Sequence, residues 1–260
     1  MSGVSGFSER TALITGGAAG IGEAIVRRMA AEGAQILFCD VNAPAGEALA
    51  DELRRSGLDV RFAACDVTDE AAVERLVATA SEMSGRLDIA VNNVGGFGEG
   101  DTSDKRVHDT DLAVWSATMN LNLTSCFLGM KHQLRPMLSQ GMGAIVNITS
   151  LAGMRWSPAA CPSYAAAKAG VVRLTEYAAV AYAAFGIRVN VVAPGLTATK
   201  AVVNAFPDAA ERAAMASASQ PMNRMIEPAE IADAVLWACS DASSGVTGLT
   251  IPVDGGWAAK

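Results

Sequence analysis

The sequence has no long apolar run, no cluster of metal-binding residues and no block of basic charge. Over 260 residues, no stretch approaches the roughly 18 continuous apolar residues of a membrane-spanning helix. The opening segment, MSGVSGFSER, lacks the charged-then-apolar pattern of a secretory signal. These absences predict a cytoplasmic protein with no membrane partner.

Cysteine and basic residues are sparse or scattered, which excludes further classes. The five cysteines form no CxxC pair and have no neighbouring histidine, so neither a zinc site nor a disulfide framework is expected, and their odd number favours reduced thiols. A net charge of −7 and a pI near 4.9 argue against nucleic-acid binding. Small molecules are the expected ligands, and no metal is expected.

Strand-like runs alternate with Ala-rich helical stretches along the whole chain. Such alternation predicts one α/β domain over residues 1–260, with a doubly wound, mostly parallel, seven-stranded sheet. Two segments look irregular, Gly95–Asp111 and Leu196–Gln220, and both follow strand ends, where open sheets place their ligands. The runs are Ala12–Thr15, Ile36–Asp40, Val60–Cys65, Leu87–Asn92, Ala144–Thr149, Arg188–Ala193 and Leu249–Val253.

A glycine-rich turn, TGGAAGIG from Thr15 to Gly22, joins the first strand to the first helix. Gly16 permits a tight turn, Gly20 lets the backbone approach a pyrophosphate, and Gly22 allows close packing of helix and strand. The free N–H groups of the helix N-terminus favour an anion. The turn predicts dinucleotide binding, with an ordinary glycine-rich βα turn as the alternative.

Asp40 ends the second strand, at the position where a carboxylate accepts both hydrogen bonds of the adenosine ribose diol. No Arg or Lys occupies residues 17–19 or 41–43, so nothing would neutralise a 2′-phosphate there. NAD is therefore favoured over NADP. The alternative is that Asp40 only caps the strand end.

Tyr164 and Lys168 are four residues apart and share one face of a helix. A nearby ammonium, together with the positive nicotinamide, favours the phenolate, so this pair predicts a proton relay. Ser150 follows the fifth strand, and its hydroxyl is a candidate to bind the substrate oxygen, although Thr149 offers a second hydroxyl. Taken singly, these residues also fit a packed ring beside a solvated amine and a turn serine.

Together these motifs resemble the short-chain dehydrogenase/reductases in their compact single-domain form, over nearly the whole chain. The family's TGxxxGxG, NNAG and YxxxK patterns are read at Thr15–Gly22, Asn92–Gly95 and Tyr164–Lys168, with Val94 in place of the usual alanine. Asn190–Gly195 is similar to the family's N-x-x-x-PG strand. The resemblance implies a Rossmann-type fold and an NAD-dependent alcohol dehydrogenase or ketone reductase, with a homotetramer as the expected assembly.

The resemblance also assigns site residues. A fourth catalytic residue is an asparagine whose backbone holds a water in the relay from Lys168; the pattern aligns with Asn122, while Asn120 falls on another helix face. The S-x-x-G pattern favours Ser150. The catalytic set is therefore Asn122, Ser150, Tyr164 and Lys168, and the cofactor-binding set is Gly16, Ala19, Gly20, Ile21, Asp40, Asp66, Val67, Asn93, Tyr164, Lys168, Thr197 and Thr199.

The segment between Ser150 and Tyr164 must pass the substrate site. Met154, Trp156 and Cys161 are candidate pocket walls beside Ser150, and Phe206 and Phe97 are weaker ones. An apolar wall predicts a small hydrophobic or cyclic secondary alcohol or ketone. We further expect Leu196–Gln220 to act as a mobile lid.

Two alternatives remain open at this point. One is an NADH-dependent 3-oxoacyl reductase-like enzyme, against which the acidic chain without an evident basic cluster counts mildly. The other is a non-catalytic NAD-sensing or scaffold protein, which the presence of all four catalytic residues disfavours. An epimerase or dehydratase of the longer related group would need a larger C-terminal domain than the residues after Gly195 provide.

Overall fold

A computed structural model describes residues 6–260, in which seven strands form one sheet in the order β3-β2-β1-β4-β5-β6-β7. Every pairing is parallel. The predicted sheet is confirmed, and it is fully parallel where the sequence led us to expect a mostly parallel one. The strands are β1 Thr11–Thr15, β2 Gln35–Asp40, β3 Val60–Ala64, β4 Ile89–Asn92, β5 Gly143–Ile148, β6 Ile187–Pro194 and β7 Thr250–Val253.

Helices cover both faces of the sheet, as parallel strands joined by crossover helices require. One core packs α1, α2 and α9 against the sheet, and a second packs α3, α5 and α6 against the opposite face. The described helices are α1 Gly20–Ala31, α2 Ala43–Arg55, α3 Glu70–Glu82, α4 Leu112–Met119, α5 Ser125–Gln140, α6 Pro162–Tyr182, α7 Lys200–Ala205, α8 Ala209–Ser219 and α9 Pro228–Cys239.

The central strands are apolar because neither face meets solvent. All five residues of β1 and all four of β4 are buried. Ile14, Ile36 and Ile89 are fully buried, each contributing about 2 kcal/mol of transfer free energy. These strands form a rigid base for the loops at their carboxyl ends.

The chain changes direction between β1 and β4. From β1 it builds outward through β2 and β3, then returns to place β4 on the other side of β1. Loops that leave adjacent strands in opposite directions open a crevice at this point, which is where such sheets bind ligands.

A π-helical turn, Asn120–Thr124, joins α4 to α5 in one continuous helix. Such turns widen a helix locally and are common at functional sites.

Within residues 6–260 no helix is both long and apolar enough to cross a membrane. All five cysteines are buried free thiols.

Candidate active site

A cleft with a volume of about 980 Å³ lies along the carboxyl ends of the strands. Its floor is formed by the turns after β1 to β6, and its roof by the segment that carries α7 and α8. One end is bounded by Asp40 and Asp66, and the other by Ser150, Tyr164 and the roof. A volume of this size suits an extended ligand together with a small one.

The glycine-rich turn leaves N–H groups and space facing the cleft. Ala19 precedes α1 with no side-chain hydrogen bond capping the helix, so that end keeps its bonding capacity. Gly20 has φ +59, and a Cβ there would lie 3.4 Å from Thr199 Cγ2. Asn93 Nδ2 donates to the carbonyl oxygens of Thr15 and Gly16, at 3.2 and 3.0 Å. The turn is thus fixed from below and open above, which fits a pyrophosphate.

Two carboxylates bound one end of the cleft. Asp40 accepts from the backbone N–H groups of Ala18 and Asn42, at 3.1 and 3.0 Å, which orient its side chain at the end of β2. Asp66 accepts from the Thr68 N–H at 2.9 Å and from its hydroxyl at 2.7 Å. Residues that the sequence assigned to the cofactor line this half: Gly16, Ala19, Gly20, Ile21, Asp40, Asp66, Val67 and Asn93.

Tyr164 lies in the first turn of α6 and reaches the cleft beside Ser150. The Phe97 ring packs edge-on against it, with 5.3 Å between the centroids. The Ser150 Oγ accepts from the Ala152 N–H at 3.2 Å, so its proton remains available for another acceptor. Burial raises the pKa of Tyr164 above its ordinary value, and the Ser150 hydroxyl offsets part of this effect.

Lys168 is buried one turn further along α6, with 2% of its surface exposed. Its Nζ donates to the Ile148 carbonyl at 3.0 Å and lies 5.8 Å from the centre of the Tyr164 ring. Burial lowers the pKa of Lys168 to about 8. Thr149 and Ser150 both line the cleft, but the Thr149 hydroxyl donates to the Lys168 carbonyl at 2.7 Å, so its proton is already engaged.

The pKa directions of this pair differ from the sequence-based expectation that the ammonium favours the phenolate. Taken without ligands, the protein raises the pKa of Tyr164 and lowers that of Lys168, both through burial. Burial disfavours the charged form of each group. The phenol is therefore held neutral by the chain itself, and a further positive charge is needed to ionise it.

Asn122 is fully buried in the π-helical turn. Its Nδ2 donates to the carbonyls of Gly96 and Thr118, at 2.7 and 2.8 Å, and its Oδ1 accepts from the Gly96 N–H at 3.0 Å. A Cβ on Gly95 would collide with Lys168 Nζ and lie 2.7 Å from Asn122 Oδ1. Asn122 and Lys168 thus flank Gly95, whereas Asn120 is exposed.

The roof begins at Thr197 and Thr199. The Thr197 hydroxyl donates to the Gly195 carbonyl at 3.0 Å, and Thr199 Oγ1 accepts from the Val202 N–H at 3.3 Å, at the start of α7. Both threonines line the cleft above the glycine-rich turn. Their positions place them in the middle of the cleft, between Tyr164 and the end that Asp40 and Asp66 bound.

The candidate substrate walls divide into two groups. Ser150 and Trp156 line the cleft, and Trp156 is 81% exposed at its mouth. Met154, Cys161 and Phe206 do not line the cleft, so their assignment to the substrate wall is corrected. Met154 faces outward after the short turn that follows Ser150, Cys161 is fully buried beneath the N-terminus of α6, and Phe206 ends α7.

Other residues complete the substrate half without having been singled out from the sequence. Leu151, Met215 and Trp257 line it, and Phe97, only a weak candidate, packs on Tyr164. Trp257 lies just after β7, far along the chain from the sequence motifs, and it was therefore not predicted. Its position directly after the end of a strand was the sequence feature that could have indicated it. Within residues 6–260, no group of three or more potential ligands is arranged to hold a metal ion.

A family model described as enoyl-(acyl carrier protein) reductase matches residues 16–258. Among curated proteins, the chain is 43% identical to a cis-4-hydroxycyclohexanecarboxylate dehydrogenase from Sinomonas cyclohexanicum, over 97% of this chain and 98% of that protein. It is 37% identical to a levodione reductase from Leifsonia aquatica, over 97% and 96%. These similarities span the whole fold.

Solved structures give the same result. The fold matches a short-chain type dehydrogenase/reductase from Mycobacterium ulcerans with a TM-score of 0.90 and 30% identity, over 98% of this chain and 92% of that one. It matches a levodione reductase with a TM-score of 0.88 and 36% identity, over 97% and 99%.

Proposed function

The chain belongs to the short-chain dehydrogenase/reductase family, and we propose that it is an NAD-dependent dehydrogenase of cyclic secondary alcohols that also runs in the reducing direction. As an oxidoreductase of CH–OH groups it moves a hydride between a nicotinamide cofactor and a secondary alcohol or ketone. The observation that carries the finer proposal is the meeting of Ser150, Tyr164 and Lys168 in one cleft with Asp40 at its far end.

The cofactor half favours NAD. Asp40 places a carboxylate where the ribose diol would donate, and the same charge repels a 2′-phosphate. The turn Gly16–Ile21 would hold the pyrophosphate together with Thr199, and Asp66 and Val67 would contact the adenine. Thr197 would face the nicotinamide carboxamide, and Asn93 supports the turn from below.

The chemistry is divided between cofactor and chain: bound nicotinamide supplies the hydride acceptor or donor. Ser150 and Tyr164 bind the substrate oxygen, and Tyr164 exchanges a proton with it. Because burial raises the pKa of Tyr164, the phenol stays protonated and holds the proton that ketone reduction requires. For alcohol oxidation the phenol needs a further positive charge beside it, which the oxidised nicotinamide would add to that of the Lys168 ammonium.

Lys168 and Asn122 carry the proton onward in this proposal. With a pKa of about 8, the Lys168 ammonium loses and regains a proton near neutral pH more readily than an ordinary lysine. Asn122 anchors Gly96 with two hydrogen bonds, which fixes the loop after β4 where Gly95 packs against Lys168. Its backbone would hold the water that links Lys168 to solvent.

The substrate we propose is a cyclic secondary alcohol that carries a carboxylate. The 43% identical relative is named for such a compound, and the substrate half of the cleft is mostly apolar. Besides Lys168, the cleft lining in the described residues includes one cation, Lys200, which is exposed at the start of α7. An ammonium above an apolar pocket suits a ring with one anionic substituent.

The segment Leu196–Gln220 is proposed as a lid with fixed ends. Gln220 Oε1 accepts from the Leu196 N–H at 2.7 Å, and the Ala198 N–H donates to Ile226 at 2.8 Å. Between these anchors, α7 has no buried residue and α8 only Ala216. So little buried surface favours opening and closing. Unchanged hydrogen exchange of this segment on adding NAD⁺ would contradict the proposal.

We also propose a cytoplasmic homotetramer. The outer face of α5 and α6 exposes apolar side chains, with Phe127 46% and Tyr177 67% exposed around a shallow groove. Contiguous apolar surface of this kind is typical of an interface. Light scattering of the purified protein tests the assembly.

The test is NADH absorbance during turnover of cis-4-hydroxycyclohexanecarboxylate, compared between NAD⁺ and NADP⁺ and between Tyr164→Phe and Tyr182→Phe. We expect NAD⁺ to be preferred and Tyr164→Phe to lose at least about 100-fold in kcat. Tyr182→Phe, at the other end of the same helix and outside the cleft, should keep its activity. Preference for NADP⁺ would overturn the role proposed for Asp40. Turnover by Tyr164→Phe at the wild-type rate would overturn the role proposed for the Tyr164 phenol.

The same assay separates the alternatives. Turnover of a 3-oxoacyl thioester but of no cyclic alcohol or ketone would favour the 3-oxoacyl reductase-like alternative. NAD⁺ binding without turnover of any of these would favour a sensor or scaffold.

A further inference from the structure

The segment between β4 and α4 is tied down at one buried carboxylate. This segment carries Phe97, whose ring packs on Tyr164. Further along, Asp101 is only 6% exposed, although neighbouring loop residues are solvated. The Asp101 N–H donates to Gly98 at 3.0 Å, which folds the loop back on itself just after Phe97.

Asp101 joins this loop to two helices. Its Oδ2 accepts from the Thr118 hydroxyl of α4 at 2.7 Å and from the Ser163 hydroxyl of α6. Thr118 Oγ1 in turn accepts from the Gly98 N–H at 2.9 Å. Ser163 directly precedes Tyr164, so one carboxylate oxygen holds both the reactive helix turn and the loop that packs on its phenol.

The partners of Asp101 are hydroxyl groups, and its Oδ1 has no hydrogen-bond partner within the described residues. Burial acts to raise the pKa of Asp101, but the hydrogen bonds from Ser163 and Thr118 outweigh it, and the pKa lies below its ordinary value. The group is therefore an anion in a buried position. Such an arrangement is costly compared with apolar packing, so stability alone gives little reason for it.

We propose that Asp101 is a positioning residue for the reaction: through Ser163 it fixes the Tyr164 phenol, and through the loop it holds Phe97 against that ring. This role rests on the proposed function. Releasing the contact loosens the first turn of α6, where a misplacement of about 1 Å costs on the order of 100-fold in rate. The adenine end of the cleft lies on other strands and is untouched.

The test compares Asp101→Asn with Asp88→Asn. Asp88 is an equally buried carboxylate at the opposite end of β4, 4% exposed, where it accepts from the Thr11 N–H at 2.9 Å. We expect Asp101→Asn to lower kcat about 10-fold and leave the KM for NAD⁺ within about twofold. Asp88→Asn should destabilise the fold but leave kcat unchanged. Ser163→Ala should lower kcat similarly, with no further loss in the double variant, because both act through one contact.

A second readout needs no substrate. The tyrosinate absorbance of wild type minus that of Tyr164→Phe reports the titration of the Tyr164 phenol, since the chain has only three tyrosines. Asp101→Asn removes a nearby negative charge and loosens the packing, so the pKa of Tyr164 should fall, and Asp88→Asn should not move it. If Asp101→Asn and Ser163→Ala leave both kcat and this titration unchanged, the proposal is wrong. If no variant or wild type turns over alcohol, the proposed function fails, while the titration still decides this role.

Discussion

The two halves of the cleft are built in different ways. The half proposed to hold the cofactor rests on backbone: Asn93 holds the glycine-rich turn, and the mostly buried strand β2 carries Asp40 to the edge. The substrate half rests on segments with little buried surface, α7 and α8 above and the loop with Trp156 beside them. In the proposed function, a rigid half for a constant ligand thus faces an adaptable half for a variable one.

The largest effect should come where the halves meet. Gly95→Ala places a Cβ against Lys168 Nζ and Asn122 Oδ1, so the lysine must move from the phenol. We expect kcat to fall about 100-fold, measured by NADH absorbance. The control is Gly245→Ala, where a Cβ meets nothing within 4 Å. Normal turnover by Gly95→Ala would mean that Lys168 tolerates displacement.

The pH dependence of stability tests how strongly Lys168, where the two halves meet, is desolvated. With a pKa of about 8 in the fold against an ordinary 10.5, Lys168 binds fewer protons folded than unfolded between these values. The free energy of unfolding of wild type should therefore rise with pH across this window, by about 3 kcal/mol from this group. Below about pH 8 both states hold the proton and the contribution is flat.

Lys168→Met isolates that contribution. Urea unfolding gives the free energy of unfolding of wild type and variant at about pH 7.5 and about pH 10. The difference between the two proteins should shift in favour of wild type as the pH rises. The structure indicates that the Lys168 ammonium is desolvated. A difference in unfolding free energy that does not change with pH would contradict this.

Asp40→Ser tests the rigid half. It removes the acceptor for the ribose diol and the charge that repels a 2′-phosphate, so the kcat/KM ratio of NAD⁺ over NADP⁺ should fall about 30-fold. Asp66→Ser is the matched control, because both cofactors share the adenine that it would contact, and it should weaken both equally. An unchanged ratio in Asp40→Ser would place the discrimination elsewhere.

The contrast between the two halves of the cleft also explains which features the sequence predicted correctly. The strands were predicted to within two residues at their bounds, since buried parallel strands read as apolar runs. The sequence also led to Ser150, Tyr164, Lys168 and the glycine-rich turn, because short local motifs position them, and the structure brings these together in one cleft.

The substrate half was predicted less well. Sequence proximity to Ser150 pointed to Met154 and Cys161, but one faces outward and the other is buried below α6. Tertiary packing alone brings Trp257 to the cleft and Asp101 to the first turn of α6. Likewise, the raised pKa of Tyr164 depends on burial that residue spacing does not reveal.

The smallest effect should come from the adaptable half. Lys200→Met removes an exposed cation from the cleft wall, so the KM for a carboxylated cyclic alcohol should rise about fivefold, and less at high salt, since exposed charge pairs are weak and screened. The KM for cyclohexanol and for NAD⁺ should not change. Lys105→Met, outside the cleft lining, is the control. A rise confined to NAD⁺ would assign Lys200 to the cofactor phosphates and extend the rigid half under the lid, whereas an equal rise for both alcohols would make it a structural part of α7.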